Sequence, residues 1–147
     1  MGLSIYLKLK MKDKILNSKF LLLIPGYWAC LFDEIITIIN QSDEYWKGDL
    51  SKANEGNPIG AFFMANHTSG LYIICGVWLI LIAVIGYKLS DRKLKIFALF
   101  VLIAHSFGAS SWLSQYYGFW YAIIFILINS ILFIEFENLY DKRIREK

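Results

Sequence analysis

Two adjacent carboxylates, Asp33 and Glu34, stand in the stretch ACLFDEIITIIN, Ala29 to Asn40, which is otherwise fit for the middle of a lipid bilayer. His105, in AHSFGASSW, falls at the middle of another apolar run, and Thr37, Ser110 and Asn129 also interrupt apolar runs. Polar groups so placed have three uses. They can hydrogen-bond between helices and fix packing, at about 0.6 to 2 kcal/mol per bond. They can bind or conduct, with Asp33 or Glu34 accepting a proton or cation and His105 relaying it. They can also hydrolyse, given a base, an activated water or hydroxyl, and a metal held by His105, His67 and carboxylates. None of H-E-x-x-H, G-x-S-x-G or a closely spaced ligand pair is present, so the sequence names neither a metal nor a cofactor.

The cost of these carboxylates can be bounded. Between Phe20 and Ile39 there are eleven Leu, Ile or Phe, which contribute about −5 kcal/mol to insertion in sum, whereas each central carboxylate costs about 3 kcal/mol. The segment is near break-even unless the acids face a polar interior, bind something or are neutralised. Gly26, Ala29, Cys30, Asp33 and Thr37 follow the i, i+3, i+4, i+7 spacing of one helix face, and their small size invites close approach by another helix. Asp33 is therefore expected on the packed face. Glu34, rotated about 100° from it, is expected at the bundle edge near Tyr27 and Cys30. The complementary face is expected on the run containing His105, where Ala104, Gly108 and Ser111 are small at helical spacing, with Ser106 and Ser110 beside them.

The elements that must position these residues are membrane spans. The 147 residues are 57% hydrophobic and 17% aromatic, outside the soluble range. Four runs reach the roughly 20 residues needed to cross a hydrocarbon core: Phe20 to Ile39, Gly70 to Leu89, Lys95 to Leu113 and Phe119 to Phe136. The fold class expected is an all-α integral membrane protein, a single four-helix bundle. Since the apolar run continues past Cys30 to spanning length, the first helix is expected to be retained rather than cleaved as a signal peptide. All but two of the fifteen Lys and Arg flank one side: Lys8, Lys10, Lys12, Lys14 and Lys19 before the first span, Lys88, Arg92, Lys93 and Lys95 between the second and third, and Lys142, Arg143, Arg145 and Lys147 at the end. Only Lys47 and Lys52 lie on the other. The positive-inside rule puts both termini in the cytoplasm, in what reads as a prokaryotic cytoplasmic membrane. That sorting accounts for the net charge of +3 without a nucleic-acid partner. The lipid bilayer is the first partner implied. Four helices enclose little volume, so a homo-oligomer or a subunit of a larger membrane complex is expected.

Aromatic residues agree with this frame. Tyr116, Tyr117, Trp120 and Tyr121 cluster at the outer turn and Tyr87 and Tyr140 mark inner ends, where headgroups suit an amphipathic ring. Trp78 sits mid-span and reads as a packing residue. Cys30 and Cys75 lack metal-type spacing and read as small apolar filler.

The outer connection, Asn40 to Ser69, is net acidic, carrying Asp43, Glu44, Asp49 and Glu55 against Lys47 and Lys52. In EGNPIGAFFMAN, Asn57 is a helix cap and Pro58 sits at the first helical position. The run that follows is too short to span. Either it forms an interfacial or re-entrant helix ended near Gly70, or the second span begins early at Pro58. Asp33-x-x-x-Thr37 followed by Glu55-x-Asn57-Pro58 resembles the pattern of a family of small uncharacterised prokaryotic multi-span membrane proteins. The match covers about Cys30 to Gly60, with SDEYWKGDLSKA resembling an insertion. The resemblance implies that Asp33, Thr37, Glu55 and Asn57 act together. With the residues at similar depth it gives an expected outward-facing polar pocket of Asp33, Glu34, Thr37, Glu55, Asn57, His105, Ser110 and Asn129, serving a binding, transport or assembly role, with a membrane-embedded hydrolase as the alternative.

Overall fold

The computed structural model describes residues 3–145, with side chains from Lys19 onward. Lys147 and the side chains of Lys8, Lys10, Lys12 and Lys14, which enter the charge assignment, lie outside the described residues. The described chain is helical throughout, without strands. Four of its helices are long and apolar enough to cross a membrane.

Helix α1 (Leu3–Ile39) includes the first span from Lys19. A short α2 (Asp43–Trp46), a 3-10 turn (Leu50–Lys52) and α3 (Pro58–Met64) fill the connection expected to lie outside. The remaining spans are α4 (Gly70–Lys88), α5 (Asp91–Tyr116) and α6 (Phe119–Arg145). The second span does not begin at Pro58. Helix α3 ends at Met64, and Gly70 lies so close to the Phe63 carbonyl that no side chain fits there. Helix α5 extends one turn further than its apolar stretch, leaving only Tyr117 and Gly118 to reverse the chain into α6; Gly118 takes φ 109°, a conformation that side chains disfavour.

Helix α1 is central and packs against α4, α5 and α6. Its face of small residues does what the spacing predicts: Ala29 and Cys30 are fully buried, and a Cβ on Gly26 would come within 3.1 Å of Val101 Cγ1 on α5. The opposing face on α5 agrees with expectation in part: Gly108 meets Asp33, and Ser106 and Ser110 are buried. Ala104 and Ser111 are exposed, and α5 instead buries Ala98, Val101, Leu102, Ala109 and Trp112. Small size alone did not identify the contact, because Val101 and Ala98 seat in the space left by Gly26. On α6, Ala122, Phe125, Asn129, Phe133 and Tyr140 form one buried stripe at helical spacing.

Of the three apolar clusters among the described residues, two run along the bundle. One contains Leu22, Leu23, Cys30, Ile82, Leu102 and Phe133, and the other contains Ile36, Ala109, Leu113 and Phe125. Between them, at intermediate positions of α1, α5 and α6, lie Asp33, His105, Ser106 and Asn129. The polar residues thus form a layer across the bundle. At the far end from the outer connection, Lys19 Nζ donates to the Tyr87 and Leu89 carbonyls at 2.8 and 2.5 Å, capping α4, and Lys95 bridges Glu137 and Asp141 of α6 at 2.9 and 2.7 Å.

Candidate intramembrane polar site

Asp33 faces α5. Its Oδ2 lies 2.9 Å from His105 Nδ1, and the two side chains are only 19% and 14% exposed. The approach requires Gly108, one turn beyond His105: a Cβ there would stand 2.6 and 2.7 Å from the two Asp33 oxygens. The other imidazole nitrogen, Nε2, accepts from the indole N–H of Trp78 on α4. One hydrogen-bonded chain, Trp78 to His105 to Asp33, therefore ties three spans together. Because an indole N–H can only donate, Nε2 must be unprotonated in this arrangement and the ring proton sits on Nδ1, directed at the carboxylate.

Glu34 turns toward α4 rather than away from the bundle. Its Oε1 accepts from the Cys30 thiol at 3.4 Å, and Cys75 lies beside it. The 100° step between neighbouring helical residues thus gives the adjacent acids different partners. Thr37 is buried one turn above Asp33 on the same face.

The connection between α1 and α4 comes within electrostatic reach of this site at Glu55. Gln41 Nε2 donates to the Asn54 carbonyl at 2.6 Å while the Asn54 N–H donates to Gln41 Oε1 at 2.9 Å, a reciprocal clasp that fixes the chain just before Glu55. Tyr45 is fully buried against Met64 and Leu71, its hydroxyl donating to the Thr68 carbonyl at 3.2 Å. Glu55 Oε1 accepts the Asn57 N–H at 2.6 Å, and Asn57 Oδ1 caps α3 by accepting the Ile59 N–H at 3.0 Å. Burial pushes the Glu55 carboxyl above its ordinary value; the Asn57 N–H pulls it down, and the nearby Asp33 carboxylate pushes it up. Glu-x-Asn-Pro is thus a helix-capping unit whose acid sits within electrostatic reach of Asp33, while Asn57 itself is exposed.

Ser110 and Asn129 belong to a separate set. Asn129 Nδ2 donates to Ser106 Oγ at 2.8 Å across the α5–α6 contact, and Asn129 Oδ1 and Ser110 Oγ are buried without a protein partner. Ser106 follows His105 by one residue and points to a different helix.

Three residues take roles that the sequence reading did not give them. Trp78 is a hydrogen-bond donor to the histidine rather than simple packing; its mid-span position, away from the aromatic belt, was the signal available. Cys30 is a donor to Glu34, readable from the i, i+4 spacing. Gln41 carried no signal, since its partner is a backbone segment fixed only by the folded connection. Among the described residues, no group of three His, Cys, Asp or Glu converges closely enough to hold a metal ion.

Comparison with known protein families, with curated proteins and with solved structures gives no match to this chain. The resemblance carried by Asp33, Thr37, Glu55 and Asn57 rests on those residues alone.

Proposed function

We propose that the chain is a small binding, transport or assembly component of a membrane, working through an outward-facing site in which Asp33 and His105 take up a proton or small cation. The observation that carries this reading is the 2.9 Å pairing of Asp33 Oδ2 with His105 Nδ1 inside two membrane-length helices. A carboxylate and an imidazole are costly at that depth, and a packing role is already met by Asn129 and Ser106 without ionisable groups. Thr37 extends the site toward the outer connection, and Glu55 adds a second negative charge above it. The charge asymmetry supports a frame with both termini in the cytoplasm and this opening outside. In that frame α3 lies at the outer interface or re-enters it. A homo-oligomer or a larger membrane complex completes the surfaces that α4 and α6 leave bare.

The hydrolase reading loses support on the geometry. His105 could serve as a base only through Nε2, which Trp78 occupies, and no described three-ligand group replaces it.

Difference infrared spectroscopy of the purified protein in lipid, stepping between acid and neutral pH, tests the proposal. A protonated-carboxyl band is expected that Asp33→Asn removes and His105→Gln displaces. Spectra of both variants identical to the parent would overturn it.

A further inference from the structure

We propose that Trp78 is a latch on the Asp33–His105 pair, holding Nε2 of His105 closed so that proton transfer through the imidazole requires the indole to withdraw. This rests on the reading of that pair as the working site. In the arrangement observed, the Trp78 N–H donates to Nε2 and the Nδ1 proton is directed at Asp33 Oδ2. A relay would add a proton at Nε2 and release the Nδ1 proton to the carboxylate, forming a neutral carboxylic acid and leaving the imidazole neutral with its hydrogen on Nε2. Both the imidazolium and that product present an N–H to the indole N–H, two donors face to face. Neither is compatible with the Trp78 contact.

The surroundings permit this motion. Helix α4 packs chiefly against α1 and only lightly against α5, where Trp78 meets His105. The Tyr27 hydroxyl donates to the Leu79 carbonyl at 3.0 Å, so α4 stays tethered to α1 while the indole leaves α5. The titratable groups around the ring are Asp33 and Glu34 from α1, with Cys30 bound to Glu34, Cys75 from α4 beside Glu34, and Glu55 near Asp33 from the outer connection. On α6, Glu137 and Asp141 are engaged by Lys95 at the far end, and Asn129 is turned to Ser106. The indole N–H occupies Nε2, the position at which a relayed proton would enter.

The chain has two histidines, so His67→Gln leaves His105 alone to report in nitrogen-15 histidine spectra of the protein in lipid. At neutral pH the expected spectrum is that of the Nδ1–H tautomer. In the same background Trp78→Phe is expected to populate both tautomers, shifting their ratio by about two- to tenfold, as the loss of one neutral hydrogen bond implies. It should also speed proton uptake. An Nε2–H signal in His67→Gln alone would overturn the latch without any change at Trp78. Trp78→Phe with parental tautomer and uptake rate, while Asp33→Asn still removes the carboxyl band and His105→Gln still displaces it, would overturn the latch and leave the site standing. A carboxyl band unchanged from the parent in both of those variants would overturn the site and the latch with it.

Discussion

At the scale of single residues, the adjacent acids are tolerated because each has its own partner. Asp33 has His105 on α5, and Glu34 has the Cys30 thiol, with Cys75 of α4 beside it. Gly108 makes the first pairing possible. Gly108→Ala would force a methyl against both Asp33 oxygens, so the variant is expected to lose about 1 to 3 kcal/mol as an overpacked interior and to shift the His105 Nδ1 resonance. Thermal unfolding in detergent micelles and the same histidine spectra check this; an unchanged melting temperature together with an unchanged resonance would show that the carboxylate has room to retreat. Glu55 gives a prediction in pH. Its carboxyl is raised in the folded protein by burial and by Asp33, so the folded state holds the proton more tightly than the unfolded one. Its contribution is therefore fully present below the ordinary carboxyl value and is lost as pH rises through the raised value. Glu55→Gln, always neutral but still able to accept the Asn57 N–H, is expected to slow amide exchange in the outer connection relative to the parent at neutral pH and to match it in acid.

At the scale of elements, the four spans were legible because they depend on a single property, about 20 consecutive apolar residues, and the observed helices begin and end within a few residues of that reading except where polar turns extend α5 and α6 and where α1 begins early, at Leu3. The face of α1 was legible for a similar reason, since Gly26, Ala29, Cys30 and Asp33 repeat at helical spacing. The cap of α3 was legible from Asn57-Pro58. The matching face of α5 was legible only in part: Gly108 meets Asp33, but Ala104 and Ser111 share the small-residue pattern and face outward, because which side of a helix meets its neighbour depends on the rotation of both. The fold of Ser42 to Ala53, which the sequence presented as an insertion, rests on a buried Tyr45 whose partners, Met64, Leu71 and Thr68, are distant in the chain. The pairing of α5 with α6 shows the same dependence, since Lys95 meets Glu137 and Asp141 only when the two helices are antiparallel in this register. Lys95→Met would leave two acids one turn apart without their cation. A loss of up to about 1 kcal/mol is expected for so accessible an ion pair, shrinking at high salt; chemical unfolding at two ionic strengths measures it, and a salt-independent loss would assign the effect to the packing of the lysine stem instead.

At the scale of the whole molecule, the direction in which the site opens depends on orientation in the bilayer, and orientation depends on charge. The connection whose Glu55 lies within electrostatic reach of Asp33 carries Asp43, Glu44, Asp49 and Glu55 with only Lys47 and Lys52, whereas the opposite end carries Lys88, Arg92, Lys93, Lys95, Lys142, Arg143 and Arg145. The cost of moving the second group across a membrane outweighs that of moving the first, because basic residues near span ends resist translocation while acidic ones contribute little. A reporter that is active only outside the cell, inserted at the exposed turn around Gly48, should therefore be active, and a reporter that matures only in the cytoplasm, fused after the last residue, should fluoresce. The reverse pattern would turn Thr37 and Glu55 toward the cytoplasm, so that the Asp33–His105 pair would draw its proton from the inner side, and an outward-facing role would have to be abandoned even with every contact in the bundle unchanged.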